Sequence, residues 1–147
     1  MTATTLLDVL IVDDSAAIRK ILHRVLRQMD LRLGEIHEAG DGREAMDILE
    51  NHRVGLVLSD MNMPHMDGLQ LLGRIKEMAH MKEVPIVIIT TESRQGKVMD
   101  AIQLGATGYV RKPFTAEQIK DKLVAVLNPE ITCRERPSTI GSTGLPS

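Results

Sequence analysis

Five short apolar runs alternate with five helix-patterned segments along this 147-residue chain, and no other feature restricts its fold as strongly. The runs are Leu7–Val12, Glu35–Ala39 (opened by Gly34), Gly55–Asp60, Pro85–Thr90 and Gly108–Arg111. Apart from the weaker Glu35–Ala39, they are largely apolar rather than alternating, the pattern of strands covered on both faces. Pro85–Thr90 is also β-branched, which favours a strand over a buried helix turn. Between the runs, Ile18, Ile21, Leu22, Val25, Leu26 and Met29 recur at helical spacing behind Ser15, a capping residue. Ala45, Ile48 and Leu49 follow an Asp41-Gly42 turn, and Leu69, Leu72, Ile75 and Met78 mark the inner face of a helix over Gly68–Met78. Helical segments over Gly96–Leu104 and Thr115–Leu127 complete the series. Strictly alternating strands and helices with short connections predict an α/β fold, a doubly wound five-stranded parallel sheet with five helices.

Composition narrows the rest. The length suits one domain, expected over residues 1–128. After Asn128-Pro129 the sequence turns to Pro, Ser, Thr and Gly, so residues 129–147 are expected to form a disordered tail. A net charge of -2 offers no electrostatic footprint for nucleic acid or an anionic membrane. Phe114 and Tyr109 are the only aromatic residues, too few to stack bases or wall a flavin. The lone Cys133 cannot form an internal disulfide, no signal-peptide pattern opens the chain, and no apolar stretch approaches the ~20 residues that span a bilayer. A cytoplasmic protein is the expectation.

In a parallel sheet every strand ends on the same edge, where α/β proteins bind and process ligands. That edge gathers Asp13 and Asp14, Asp60, Thr90 and Lys112. Three crowded carboxylates resist ionisation unless a cation compensates, and a hard, oxygen-loving ion such as Mg²⁺ suits them. With a lysine and a hydroxyl beside them, they describe a site for a transferring phosphoryl group. Taken singly the signals are weaker: Asp13-Asp14 also reads as a helix cap, Thr90 as a strand end and Tyr109 as core. The nine methionines, Met61, Met63 and Met66 among them, read as packing. His23, His37, His52, His65 and His80 lack ligand spacing, and Arg19, Lys20, Arg24 and Arg27 read as a solvated helix face or as a docking face for an acidic partner.

From Leu6 to Leu127 the sequence resembles the receiver domains of two-component response regulators. The resemblance rests on Val9-Leu10-Ile11-Val12-Asp13-Asp14-Ser15, Ser59-Asp60-Met61-Asn62-Met63-Pro64 with Met66-Asp67-Gly68, Ile89-Thr90, and Gly105-Ala106 through Gly108-Tyr109 to Lys112-Pro113-Phe114. It is most similar to the stand-alone chemotaxis type. The resemblance implies a flavodoxin-like strand order 2-1-3-4-5, the order the flavodoxin-like folds share. It implies Asp60 as phospho-acceptor for a histidine kinase, and Mg²⁺ held by Asp13, Asp14, Asp60 and the Asn62 backbone carbonyl. Lys112 would pair with Asp60 and then a phosphoryl oxygen, Thr90 and Tyr109 would form a switch pair, and Lys112-Pro113 would be cis. Output would be altered affinity for a downstream effector, a flagellar motor component or, alternatively, histidine phosphotransfer domains in a relay, with the protein itself a monomer. Asn62 and Glu92 are polar positions expected to tune phosphate lifetime, and Thr91 is bulkier than the small residue usual there. A phosphatase with an aspartate nucleophile is disfavoured because Asn62 cannot act as the general acid two residues on. Neither a G-x-x-x-x-G-K-S/T loop nor G-x-G-x-x-G occurs, which disfavours a nucleotide switch.

Overall fold

The computed structural model describes residues 6–29, 31–63, 66–91 and 94–127. The expected tail, with Cys133, and also Pro64, His65 and Glu92, lie outside the described residues. Strands β1 (Leu7–Val12), β2 (Leu33–Ala39), β3 (Leu56–Ser59), β4 (Ile86–Thr90) and β5 (Gly108–Arg111) form one sheet. Its order is β2-β1-β3-β4-β5 and every pairing is parallel. Helices α1 (Ala16–Gln28), α2 (Gly42–Asn51), α3 (Gly68–Glu77), α4 (Gln95–Gln103) and α5 (Ala116–Leu127) connect or follow the strands.

Period-two alternation distributes the strand side chains between two cores. Leu10, Val12, Val57, Ile86 and Ile88 pack with Ala45 and Leu49 of α2, Leu71, Leu72 and Ile75 of α3, and Ala101 of α4. Val9, Ile11, Leu56, Leu58, Val87, Ile89 and Val110 pack with Leu22, Val25 and Leu26 of α1 and Ile119 and Leu123 of α5. Because both faces are covered, the central strands tolerate almost no polar residue until they reach the carboxyl edge.

Several boundaries and faces differ from the sequence reading. Residue Leu33 already pairs with Leu7, so β2 begins two residues before Glu35. On α3 the fully buried residues are Leu71, Leu72 and Ile75, whereas Leu69 and Met78 are half-buried. Both still pack against the core that holds Leu72 and Ile75, and Leu69 also lines a groove with Met66, Gly73 and Leu104. The expected inner face thus holds, with Leu71 as a buried member that the 69, 72, 75 spacing left out. Ile21 lies on the outer flank of α1, 40% exposed. A single 3-10 turn at Ala79–Met81, absent from the sequence reading, buries Met81 beneath α3.

Helix caps fix how the chain leaves the functional edge. Ser15 accepts from the Ile18 N–H at 3.3 Å, and Asp41 from the Glu44 N–H at 2.9 Å. Asp67 and Gln70 form a reciprocal capping box at α3. Just inside that cap, Gly68 donates its N–H to the Met61 carbonyl at 2.8 Å. A β-carbon on Gly68 would lie 2.3 Å from the Asp60 carbonyl oxygen and 2.5 Å from Met61 Cα, so only glycine lets α3 approach the Asp60 loop this closely. Mid-helix, a β-carbon on Gly73 would meet nothing within 4 Å. Gly68→Ala should therefore cost about 1–3 kcal/mol through overpacking. Gly73→Ala should instead stabilise by roughly 0.5–1 kcal/mol. Urea unfolding midpoints of the two variants should move in opposite directions.

Candidate functional site

At the carboxyl edge, the strand ends bring together Asp13, Asp14, Asp60 and Lys112. Asp13 directly follows β1 and Asp60 directly follows β3, and both are buried (1% and 6% exposed). Backbone bonds hold both acids, the Asp13 N–H to the Ala39 carbonyl (3.0 Å) and the Asp60 N–H to the Val12 carbonyl (2.9 Å). Asp14 is exposed beside them. One carboxylate oxygen from each of Asp13, Asp14 and Asp60 falls within 4.8 Å of the others.

The ammonium of Lys112 reaches both buried acids, at 2.7 Å from Asp13 Oδ2 and 3.2 Å from Asp60 Oδ2. The expected pair with Asp60 is present, and a second, shorter contact to Asp13 joins it. Lys112 is placed by its own backbone, whose N–H donates to the Thr90 carbonyl at 2.8 Å, and the Lys112–Pro113 peptide is cis. The two oxygens of Asp60 have different surroundings. Oδ1 accepts from the N–H groups of Met61 (2.7 Å) and Asn62 (3.3 Å), while Oδ2 faces Lys112.

Thr90 is wholly buried at the end of β4. Tyr109 is half-buried, pairs with Ile88 on the neighbouring strand and packs against the same core as Ile88. Two residues beyond Ile88, Thr90 lies on that same sheet face, so strand geometry puts the hydroxyl and the ring on one side. Asn62 and Thr91 are exposed at the rim.

Burial pushes the Asp13 carboxyl above its ordinary value, despite bonds from Lys112 and the Ser15 N–H that work the other way. For Lys112, burial alone would lower the ammonium's pKa, but Asp13 and Asp60 together raise it. The ammonium thus stays charged, while an ionised Asp13 is costly. This donor set fits a divalent cation: three oxygen ligands converge, and one is destabilised as an anion by its surroundings.

Sequence reasoning missed three contributors. Arg19, read as part of a solvated face, instead bonds Glu38 and the Asp13 carbonyl. The Ser15 N–H donates to Asp13 Oδ1 at 2.9 Å, besides the cap its hydroxyl provides. Gly68 admits α3 to the Asp60 loop. Ser15 carried a sequence signal in its capping position and Gly68 in the Met66-Asp67-Gly68 motif, but neither signal indicated these contacts. Among the described residues, His23, His37, His52 and His80 do not join the acidic cluster. His37 and His52 stack with centroids 4.5 Å apart, His80 meets the Leu49 carbonyl, and His23 meets Glu38. Met61, Met63 and Met66 pack against the core, as expected.

A raised folded-state pKa means that the protonated form of Asp13 is favoured by folding. Its contribution is fully present below 3.8 and is lost as pH rises through the folded value. Without divalent cations, Asp13→Asn should therefore raise the urea midpoint at pH 7, with the gain shrinking toward pH 3. An unchanged or lower midpoint at pH 7 would contradict the burial argument.

The comparisons with known proteins agree with this geometry. The response regulator receiver domain model matches residues 9–124. The chemotaxis protein CheY-3 of Vibrio cholerae is 39% identical over 115 residues, covering 78% of this chain and 87% of that protein. The chemotaxis protein CheY of Pseudomonas aeruginosa is 36% identical, covering 78% and 91%. Among solved structures, Vibrio cholerae chemotaxis protein CheY4 superposes with a TM-score of 0.76 at 34% identity, covering 83% of this chain and 99% of that one. The receiver domain match spans most of the chain, and relatives above 30% identity cover more than two thirds of it, so the chain belongs to the response regulator receiver domain family.

Proposed function

We propose that this protein is a phosphorylation-activated switch in which Asp60 accepts a phosphoryl group from a histidine kinase. The observation that carries the reading is the Lys112 ammonium held between Asp13 and Asp60, with Asp14 alongside. An Asp60 carboxylate oxygen attacks phosphorus, the P–N bond to the donor histidine breaks, and an acyl phosphate forms. Mg²⁺ held by Asp13, Asp14, Asp60 and the Asn62 carbonyl would neutralise the phosphoryl oxygens. Lys112 can exchange its contact with Asp60 Oδ2 for a phosphoryl oxygen without leaving Asp13. The backbone N–H groups of Met61 and Asn62 hold Asp60 Oδ1, which fixes the carboxylate plane for attack. Water later hydrolyses the acyl phosphate, so the protein processes its own phosphate and releases no other product.

Phosphorylation adds a charge of about -1.5 to -2 at the strand edge. That charge favours conformers in which the Thr90 hydroxyl and Lys112 move toward it, with Tyr109 following into the vacated space on the shared sheet face. The result is a changed surface around α4, β5 and α5, read by an effector. Relatives named as chemotaxis proteins support an effector in motility, such as a flagellar motor component. Residues 1–128 act as the switching unit, as a monomer in the cytoplasm. Among the described residues no helix is long and apolar enough to cross a membrane.

Asp60→Asn should abolish both phosphorylation by acetyl phosphate and Mg²⁺-dependent BeF₃⁻ binding followed by ¹⁹F NMR. Normal BeF₃⁻ binding in the folded variant would sink the assignment. Thr91, exposed beside Thr90, should restrict access to the acyl phosphate, so Thr91→Ala should change self-phosphorylation or hydrolysis rates severalfold in a stopped-time assay. Unchanged rates would retire that role.

A further inference from the structure

We infer that Arg19 is a positioning residue for the acidic loop, setting the peptide plane between Asp13 and Asp14 and thereby the aim of the cation-binding carboxylates. This rests on reading Asp13, Asp14 and Asp60 as cation ligands. Arg19 lies in the first turn of α1, where its N–H bonds the Ser15 carbonyl at 3.1 Å. Helical side chains lean toward the helix N-terminus, which carries this one back over the turn between β1 and α1. There Nη1 donates to the Asp13 carbonyl oxygen, and Nε donates to Glu38 Oε1 at 3.0 Å.

The consequence for Asp13 is that both flanking peptides are tied to β2. Its N–H bonds the Ala39 carbonyl directly, and its carbonyl is tied to Glu38 through the guanidinium. The inner carboxylate is further fixed by Lys112 and Ser15. Asp14 has an exposed side chain, so the orientation of the preceding peptide governs where its carboxylate points. A surface ion pair would be a sufficient description if Arg19 met only Glu38. It is instead only 20% exposed and spends one arm of its fork on a backbone carbonyl at the metal-ligand loop. The planar guanidinium can bridge a carboxylate and a carbonyl in fixed geometry, which a lysine ammonium cannot.

Glu38 serves a second purpose. It neutralises Arg19, so the clamp does not place a net positive charge beside a cation site. It is itself held from α1 a second time, by His23 Nδ1 at 3.5 Å from Oε2, and His23 in turn accepts from Arg27 Nε at 3.3 Å. The face read from sequence as solvated therefore supports the site from outside.

Isothermal titration of the full chain with Mn²⁺, well below each variant's thermal midpoint, tests the inference. Arg19→Ala and Arg19→Lys should each weaken Mn²⁺ binding at least fivefold, and Glu38→Gln, which retains an acceptor for Nε, should retain more affinity than Arg19→Lys. A merely structural arginine would lower the thermal midpoint but leave the affinity of the folded protein unchanged, and wild-type-like affinity within twofold in Arg19→Lys overturns the proposal. Should Arg19→Ala fail to fold, Arg19→Lys and Glu38→Gln decide between the same outcomes. Absence of Mn²⁺ binding in the wild type would instead overturn the ligand assignment, a result distinct from failure of the clamp.

Discussion

One ammonium shared by two buried carboxylates is the contact that the rest of the fold has to supply. Removing such ions from water costs several kcal/mol each unless good geometry returns most of it. The three groups come from the ends of β1, β3 and β5, which are not all neighbours in the sheet. Lys112 must reach past the end of β4, and the bond from its N–H to the Thr90 carbonyl fixes where that reach begins. Thr90 is wholly buried at this end of β4, the single polar residue of that strand. The same geometry explains why the strands are so uniformly apolar upstream. Two full cores hold one ammonium within hydrogen-bond distance of two buried acids.

The edge also separates the two oxygens of Asp60. One is engaged by backbone N–H groups, which move little, and the other by a flexible lysine. A carboxylate anchored on one side and loosely satisfied on the other is oriented without being fully occupied. Preorganisation of this sort is where electrostatic catalysis gains most, because the donors need not rearrange when charge moves.

The fold and the inner members of the site were legible in the sequence because their signals are local or repetitive. Buried parallel strands produce unbroken apolar runs, and their ends produce abrupt carboxylates such as Asp60. The degree of burial along a helix was less legible: Leu69 and Leu71 both face the core, and only packing against the sheet makes Leu71 the fully buried one. The supporting residues were least visible. Arg19 looks like any exposed helix cation until its side chain is seen to fold back onto the Asp13 carbonyl. Gly68 looks like an ordinary helix start until the Asp60 loop is seen against it. Both act through contacts between segments distant from their own sequence neighbours or through a backbone group, neither of which side-chain periodicity encodes. The Lys112–Asp60 pair was expected, whereas the second contact of the same ammonium, to Asp13, was not.

The helices do not grip the sheet equally. Helix α4 buries only Ala101 fully, while Met99 (46%), Ile102 (50%) and the following Leu104 (42%) remain exposed. Little apolar area is lost when such a helix slides or tilts, so its displacement is opposed by a shallow energy well, unlike that of α3, which is locked by three buried aliphatic side chains and a glycine contact. Displacing α4 therefore forfeits less apolar burial than displacing α3. The molecule is mechanically compliant on one flank, and it is stiff where the chemistry has to be held still.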